Sequence, residues 1–215
     1  MYQYEASFQR PAFRHQPLLT SGRAGATLSS LADARPDVSP QTIDDAALVL
    51  AAKAGDRSAF ARLYERYARL VHGVLLARVS PDSVDDLLQD VFLHALRGIR
   101  GLRTGDLFGP WICVIARNLA ASHHRSSKKH SELPDDLSTS DDSGAVEAAE
   151  VLRHIQALPE TYRETLALRL VEGMTGTEIA ERTGLTHGSV RVNLHRGMEL
   201  LRERLHVAAR RGANE

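Results

Sequence analysis

The stretch "GTEIAERTGLTHGSVRVNLHRG", Gly176 to Gly197, reads as two short helices joined by a glycine turn. Thr175-Gly176-Thr177-Glu178 has the S/T-x-x-E form of a capping box, so the first helix starts at Thr175. Gly184 is placed for a left-handed turn, and Leu185 would plug the angle between the helices. Thr186 can cap the second helix, whose Val190, Leu194 and Leu201 share a buried face. Ser189, Arg191, Val192, Asn193, His195 and Arg196 then fall on its sides and open face. A short turn and a second helix bearing base-reading groups are what a helix-turn-helix needs. Arginine can bond guanine bidentately and asparagine adenine, while Ser189 and the helix N-terminus can hold a phosphate.

The rest of the chain sets the context. Its 215 residues allow one or two domains, and 43% are apolar, enough for a core. Aromatics are only 5%, which suits a helical protein. A single cysteine, Cys113, excludes a disulfide framework and a cysteine zinc site, and in an apolar helix it reads as core. Neither a membrane-length apolar run nor a secretory pattern is present, so a cytoplasmic protein is expected.

Formal net charge is zero, yet the charge is segregated. From Leu107 to Ser131 there is no acid, while Arg117, Arg125, Lys128 and Lys129 are present. From Glu132 to Glu150 the sign reverses, and the C-terminal end turns basic again.

Residues 1–43 show no hydrophobic period and read as a disordered extension. From Asp44, apolar residues recur at helical spacing from Phe60 to Leu75 in a long amphipathic helix. Ser80 is an N-cap candidate with proline at the first helical position. The next helix puts Val84, Leu87, Leu88, Val91, Phe92 and Ala95 on one face and Asp85, Asp86, Gln89 and Asp90 on the other. "RGIRGLRTGD" reads as a loop, and a third helix runs from near Pro110 to about Ser126. The polar segment that follows reads as a linker. Helix resumes at about Ala145, then "LPETYRETLALRLVEGM" gives another, ending before Gly173. The expected fold is all-α, with two small helical domains, 44–127 and 145–210. A flexible acidic linker, 128–144, joins them, and the second domain holds the helix-turn-helix.

"DDLLQDVFLHALR", "PWICVIARNLAASHHR", "LPETYRETLALRL" and "GMTGTEIAERTGLTHGSVRVNLHRG" stand in one order and spacing. In these four segments, spanning about Asp44 to Arg204, the chain resembles the sigma-70 family, in its extracytoplasmic-function (ECF) group. The resemblance implies that the chain directs core RNA polymerase to promoters and catalyses no reaction itself. Asp85, Asp86, Leu87, Gln89, Asp90 and Phe92 would then belong to the surface that docks on the β′ clamp, with the β subunit a further contact. Trp111, Arg117, Asn118, His123, Arg125, Lys128 and Lys129 would meet the −10 element, with Trp111 largely in the core. The loop from Gly101 to Phe108 would capture a flipped base. Ser189, Arg191, Val192, Asn193, His195 and Arg196 would meet the −35 element. The acidic linker would thread the polymerase channel, and an anti-sigma protein would hold the chain inactive.

The chain departs from the family pattern at Ser122, usually aspartate, and at Val192 and Gly197, commonly serine and alanine. Gly109-Pro110 stands before Trp111 where a polar or basic residue is more usual. An enzyme reading lacks a constellation. His123, His124 and His130 have no nearby carboxylate until Glu132, and adjacent helical histidines diverge by ~100°, so neither metal nor cofactor is expected. A polymerase-independent helix-turn-helix regulator would share the C-terminal motif but leaves "DDLLQDVF" and "IARN" unexplained.

Overall fold

Gly55, with φ of 98°, ends a separate short helix ahead of the one predicted over Phe60–Leu75. A β-carbon is disfavoured in that conformation, so the chain turns there. Asp56 then starts a new helix, its carboxylate accepting from the backbone N–H groups of Ser58 at 2.8 Å and Ala59 at 3.2 Å. The computed structural model describes residues 44–130 and 143–212, and the expectations for 1–43 and the middle of the linker lie outside them. Within them are eight α-helices and no strand: α1 (Asp45–Lys53), α2 (Arg57–Leu76), α3 (Val84–Gly98), α4 (Phe108–His130), α5 (Ser143–Gln156), α6 (Glu160–Leu170), α7 (Gly176–Thr183) and α8 (His187–Gly212).

Two boundaries differ from the sequence reading. Ser80 caps no α-helix: Pro81–Ser83 form a 3₁₀ turn, Ser80 makes no side-chain cap bond, and α3 begins at Val84. Three residues suffice for a 3₁₀ turn, and proline's fixed φ suits its first position. α4 runs to His130, through the serines and lysines read as the start of the linker, because nothing before Pro134 interrupts a helix.

The first half is a bundle of α1–α4. Leu63, Leu70, Val71 and Val74 of α2, Val91 and Ala95 of α3, and Ile112, Cys113 and Ala116 of α4 are all fully buried. The six apolar positions expected on α3 are buried, and its four polar ones are exposed.

The second half is built on α6. Glu164, Thr165, Leu166, Ala167 and Leu168 are buried in succession. A helix with no exposed stripe over more than a turn is covered on opposite sides. Here α8 covers one side and α2 the other. The two halves consequently share core: Leu168, Met174, Ile179, Ala180 and Val190 join the cluster of the first half, and Ala77 joins Ile155, Leu158, Leu166 and Leu201 of the second. All eight helices belong to one compact unit.

Candidate nucleic-acid interface

The helix-turn-helix forms from local chemistry. Thr175 Oγ1 accepts from the Glu178 backbone N–H at 3.2 Å, and Thr175 N donates back to Glu178 Oε2 at 2.8 Å. The Thr175 N–H, and after it the Thr175 hydroxyl at 2.9 Å, donate to the Glu178 carboxylate and hold it below its ordinary value. Gly184 adopts φ of 76°, the left-handed turn that ends α7. Thr186 Oγ1 then accepts from Ser189 N at 3.1 Å and starts α8.

α8 presents Ser189, Arg191, Val192, His195 and Arg196 to solvent. His195 lies 3.4 Å from Glu199, one turn on. Two expectations fail here. Asn193 is only 8% exposed and so does not reach outward. It stands three residues after Val190 and four before Gly197, both buried, and thus within the inward stripe. Leu185 does not plug the turn: it is 39% exposed, whereas Ile179, Ala180 and Val190 of the two helices are buried in the shared core. Gly197 makes a tight crossing of α8 over α6, since a Cβ there would stand 3.0 Å from the Leu166 side chain and 3.2 Å from Tyr162.

On α4, Val114, Asn118, Ser122 and Arg125 share an exposed face, with Arg125 donating to Ser122 Oγ at 2.8 Å. Trp111 is half-buried over Gly98, its ring 5.8 Å from that of Phe108, as a mostly packing residue would be. Arg117 is turned away from this face. It donates to Glu164 of α6 at 3.0 and 2.7 Å, and that hydrogen bond strengthens its hold on its proton. His123 is half-buried with its Nδ1 enclosed, and His124 bonds the Arg78 carbonyl. The side chains of Lys128, Lys129 and His130 lie outside those described. No cluster able to hold a metal occurs among the described residues.

The loop ahead of α4 is anchored at both ends by buried Leu102 and Phe108. Lys53 bonds the Leu102 carbonyl, and Gly105 lies so close to α1 that a Cβ would overlap the Ala46 backbone. Between the anchors Arg103, Thr104, Asp106 and Leu107 are exposed. The loop is thus held against α1 and still presents side chains outward.

On α3, Asp85, Asp86, Gln89 and Asp90 form an open acidic face. Leu87 and Phe92 do not belong to that surface: they are 7% and 4% exposed, and Phe92 meets the Tyr64 ring at 4.5 Å. Sequence reasoning missed Leu93 and Leu96, which are 47% and 48% exposed. Leu93 follows Asp86 by seven residues and Leu96 follows Gln89 by seven, so both continue the acidic face. The acids end in an apolar strip, the composition of a protein-docking surface.

Residues 63–130 match the family model for sigma-70 region 2, and residues 148–201 that for sigma-70 region 4. The chain is 33% identical over 159 residues to RNA polymerase sigma factor CarQ of Myxococcus xanthus, covering 70% of this chain and 91% of that one. It is 32% identical over 167 residues to ECF RNA polymerase sigma factor BldN of Streptomyces coelicolor, covering 72% of this chain and 63% of that one. In fold it is similar to CnrH, solved in complex with the cytosolic domain of CnrY, with a TM-score of 0.55 at 23% identity over 76% of this chain and 97% of that one. The chain belongs to the sigma-70 family of RNA polymerase sigma factors, in its extracytoplasmic-function group.

Proposed function

We propose that this chain binds core RNA polymerase and directs it to promoters through three surfaces, catalysing no reaction of its own. The carrying observation is that region 2 and region 4 occur in one chain, each with an open polar helix face. The acidic face of α3, from Asp85 to Asp90 with Leu93 and Leu96, docks a basic amphipathic helix of the β′ clamp. Asn118 and Arg125, with the loop from Arg103 to Leu107, meet the −10 element, and Lys128 and Lys129 add backbone attraction that weakens with salt. Arg191, Val192, His195 and Arg196 enter the −35 major groove, with Ser189 on a phosphate.

Polymerase and promoter place the protein in the cytoplasm. Among the described residues no helix is long and apolar enough to cross a membrane. CnrH was solved with a second protein, and this chain has an inhibitory protein partner of its own, an anti-sigma factor. A polymerase-independent regulator would leave the region 2 half without a role.

Co-elution tests the reading. The full chain is mixed with sigma-free core polymerase and passed over a sizing column, with promoter fragments added in a second run. Co-elution with core, and specific DNA retention only when core is present, is expected. Specific DNA binding by the chain alone, with no association to core, would favour the regulator.

A further inference from the structure

Two residues at the centre of the reading face of α8 are not required by the fold. The buried stripe of this helix runs through Val190, Asn193, Gly197 and Leu201. Gly188 and Val192 each stand two residues from Val190, about 200° round a helix of ~3.6 residues per turn, and so they oppose the core. Arg191 and Arg196 flank them on either side, both exposed.

Val192 is 44% exposed and belongs to neither core cluster. A β-branched residue is also a poorer helix former than alanine or lysine, so folding gives no reason for valine there. Among the described residues of α8, only Val207, far along the helix, is another large apolar side chain so exposed. Gly188 is equally unforced. A Cβ there would meet only Thr186 Oγ1, at 3.9 Å, an ordinary contact. Glycine weakens a helix relative to alanine, yet here it leaves the backbone bare one turn ahead of Val192. The pair makes a smooth, uncharged strip between two guanidiniums.

The polar groups around the strip decide what it can meet. The first three turns of α8 expose no amide and no carboxylate: Asn193 is buried, and the first acid is Glu199, which lies 3.4 Å from His195. An amide pairs bidentately with adenine, as arginine does with guanine. This face can thus read a G·C pair through Arg191 or Arg196, but it has no amide for the adenine of an A·T pair. The other handle on that pair is the C5-methyl group of thymine, the one apolar group that a base edge carries into the major groove. The two methyl groups of valine are held by a stiff χ1, so little freedom is lost when they close on it. Bare backbone at Gly188 lets the helix lie close enough for so short a side chain to reach. Serine, common in the family at position 192, bonds to any base and offers no such apolar surface.

We propose that Val192 is a specificity-determining residue: beside Gly188 it packs on the C5-methyl group of one thymine of the −35 element, so that this chain demands an A·T pair, in one orientation, at the position it covers. The inference rests on the sigma-factor reading and deepens its −35 surface by naming the base and the atom recognised. Arg191 and Arg196 then supply affinity and guanine contacts on either side, and Val192 supplies a discrimination that no hydrogen bond on this face provides.

The test removes the methyl group alone. A promoter fragment used by wild-type holoenzyme is resynthesised with deoxyuridine in place of each −35 thymine in turn, on either strand, and its affinity for holoenzyme is measured. One replacement should weaken wild-type binding about fourfold, the worth of one buried methyl group. Val192→Ser, which matches valine in helix propensity, should melt as the wild type does and bind thymine and deoxyuridine alike at that position. Val192→Ile keeps the apolar surface and should retain the preference. The difference between wild type and Val192→Ser isolates the contact from any change in the DNA itself. A −35 element without thymine on either strand, or replacements that affect wild type and Val192→Ser equally, would overturn the contact. A chain that gives core polymerase no promoter-specific binding would sink the sigma reading and the contact with it; promoter-specific binding without methyl dependence would sink the contact alone.

Discussion

The guanidinium of Arg117 donates to both carboxylate oxygens of Glu164, at 3.0 and 2.7 Å, across 47 residues of sequence. Burial alone would raise the Glu164 pKa. The Arg117 hydrogen bond and the charges of Arg78 and Arg117 outweigh it, and the value falls below the ordinary 4.5. A depressed carboxyl stabilises the fold fully above its ordinary value and loses that contribution as pH falls through the depressed one. Glu164→Gln should cost about 3 kcal/mol at neutral pH, the low end for a broken buried pair because one partner keeps some water. Thermal melts of wild type and variant should converge in acid. A gap unchanged between neutral and acid pH would contradict the assignment.

On α8 the burial pattern separates two neighbouring polar residues. Arg196→Ala should cost about 1–3 kcal/mol of promoter discrimination and relax one −35 position. Asn193→Ala should lower the melting temperature and leave the selected −35 sequence intact, because Asn193 is buried. Selection from a randomised −35 region, run with both variants in holoenzyme, checks the pair. A changed consensus for Asn193→Ala would return that residue to the DNA face.

Gly105 is the close contact between α1 and the loop ahead of α4. Gly105→Ala should push the loop off the Ala46 backbone, reduce promoter melting and leave the affinity for core unchanged. Permanganate reactivity of −10 thymines, measured beside core binding, reads both. Normal melting would mean that the loop does not act in that step.

Charge reversal on α3, as in Asp86→Arg or Asp90→Arg, should weaken core binding by at least about tenfold with little change in stability, since both residues are exposed. Leu93→Ser should also weaken it, which an acidic face acting through charge alone would not predict. Titration of fluorescent core polymerase distinguishes the cases.

The parts of this molecule legible in the sequence are those fixed by neighbours a few residues away. The Thr175–Glu178 capping box, the Gly184 turn, the Thr186 cap and the two faces of α3 each depend on one or two helical turns. Asn193 was legible too: it stands three residues after Val190, which the sequence already placed on the buried face, and its polarity masked the count. Long-range pairs were not. Nothing near Arg117 announces Glu164, and nothing near Gly109 announces the Arg182 carbonyl. α6 hid its role because a helix covered on both sides shows no amphipathic stripe. Gly109-Pro110 and Gly197, noted in the sequence only as departures from the family pattern, are close contacts between elements in the structure.

Run-off transcription tests the central claim most directly. Purified protein is added to sigma-free core polymerase with genomic fragments as templates. Specific transcripts that require the protein, with start sites downstream of a shared pair of elements, are the predicted result. Core polymerase that gains no specific start site from the protein on any fragment would contradict the account.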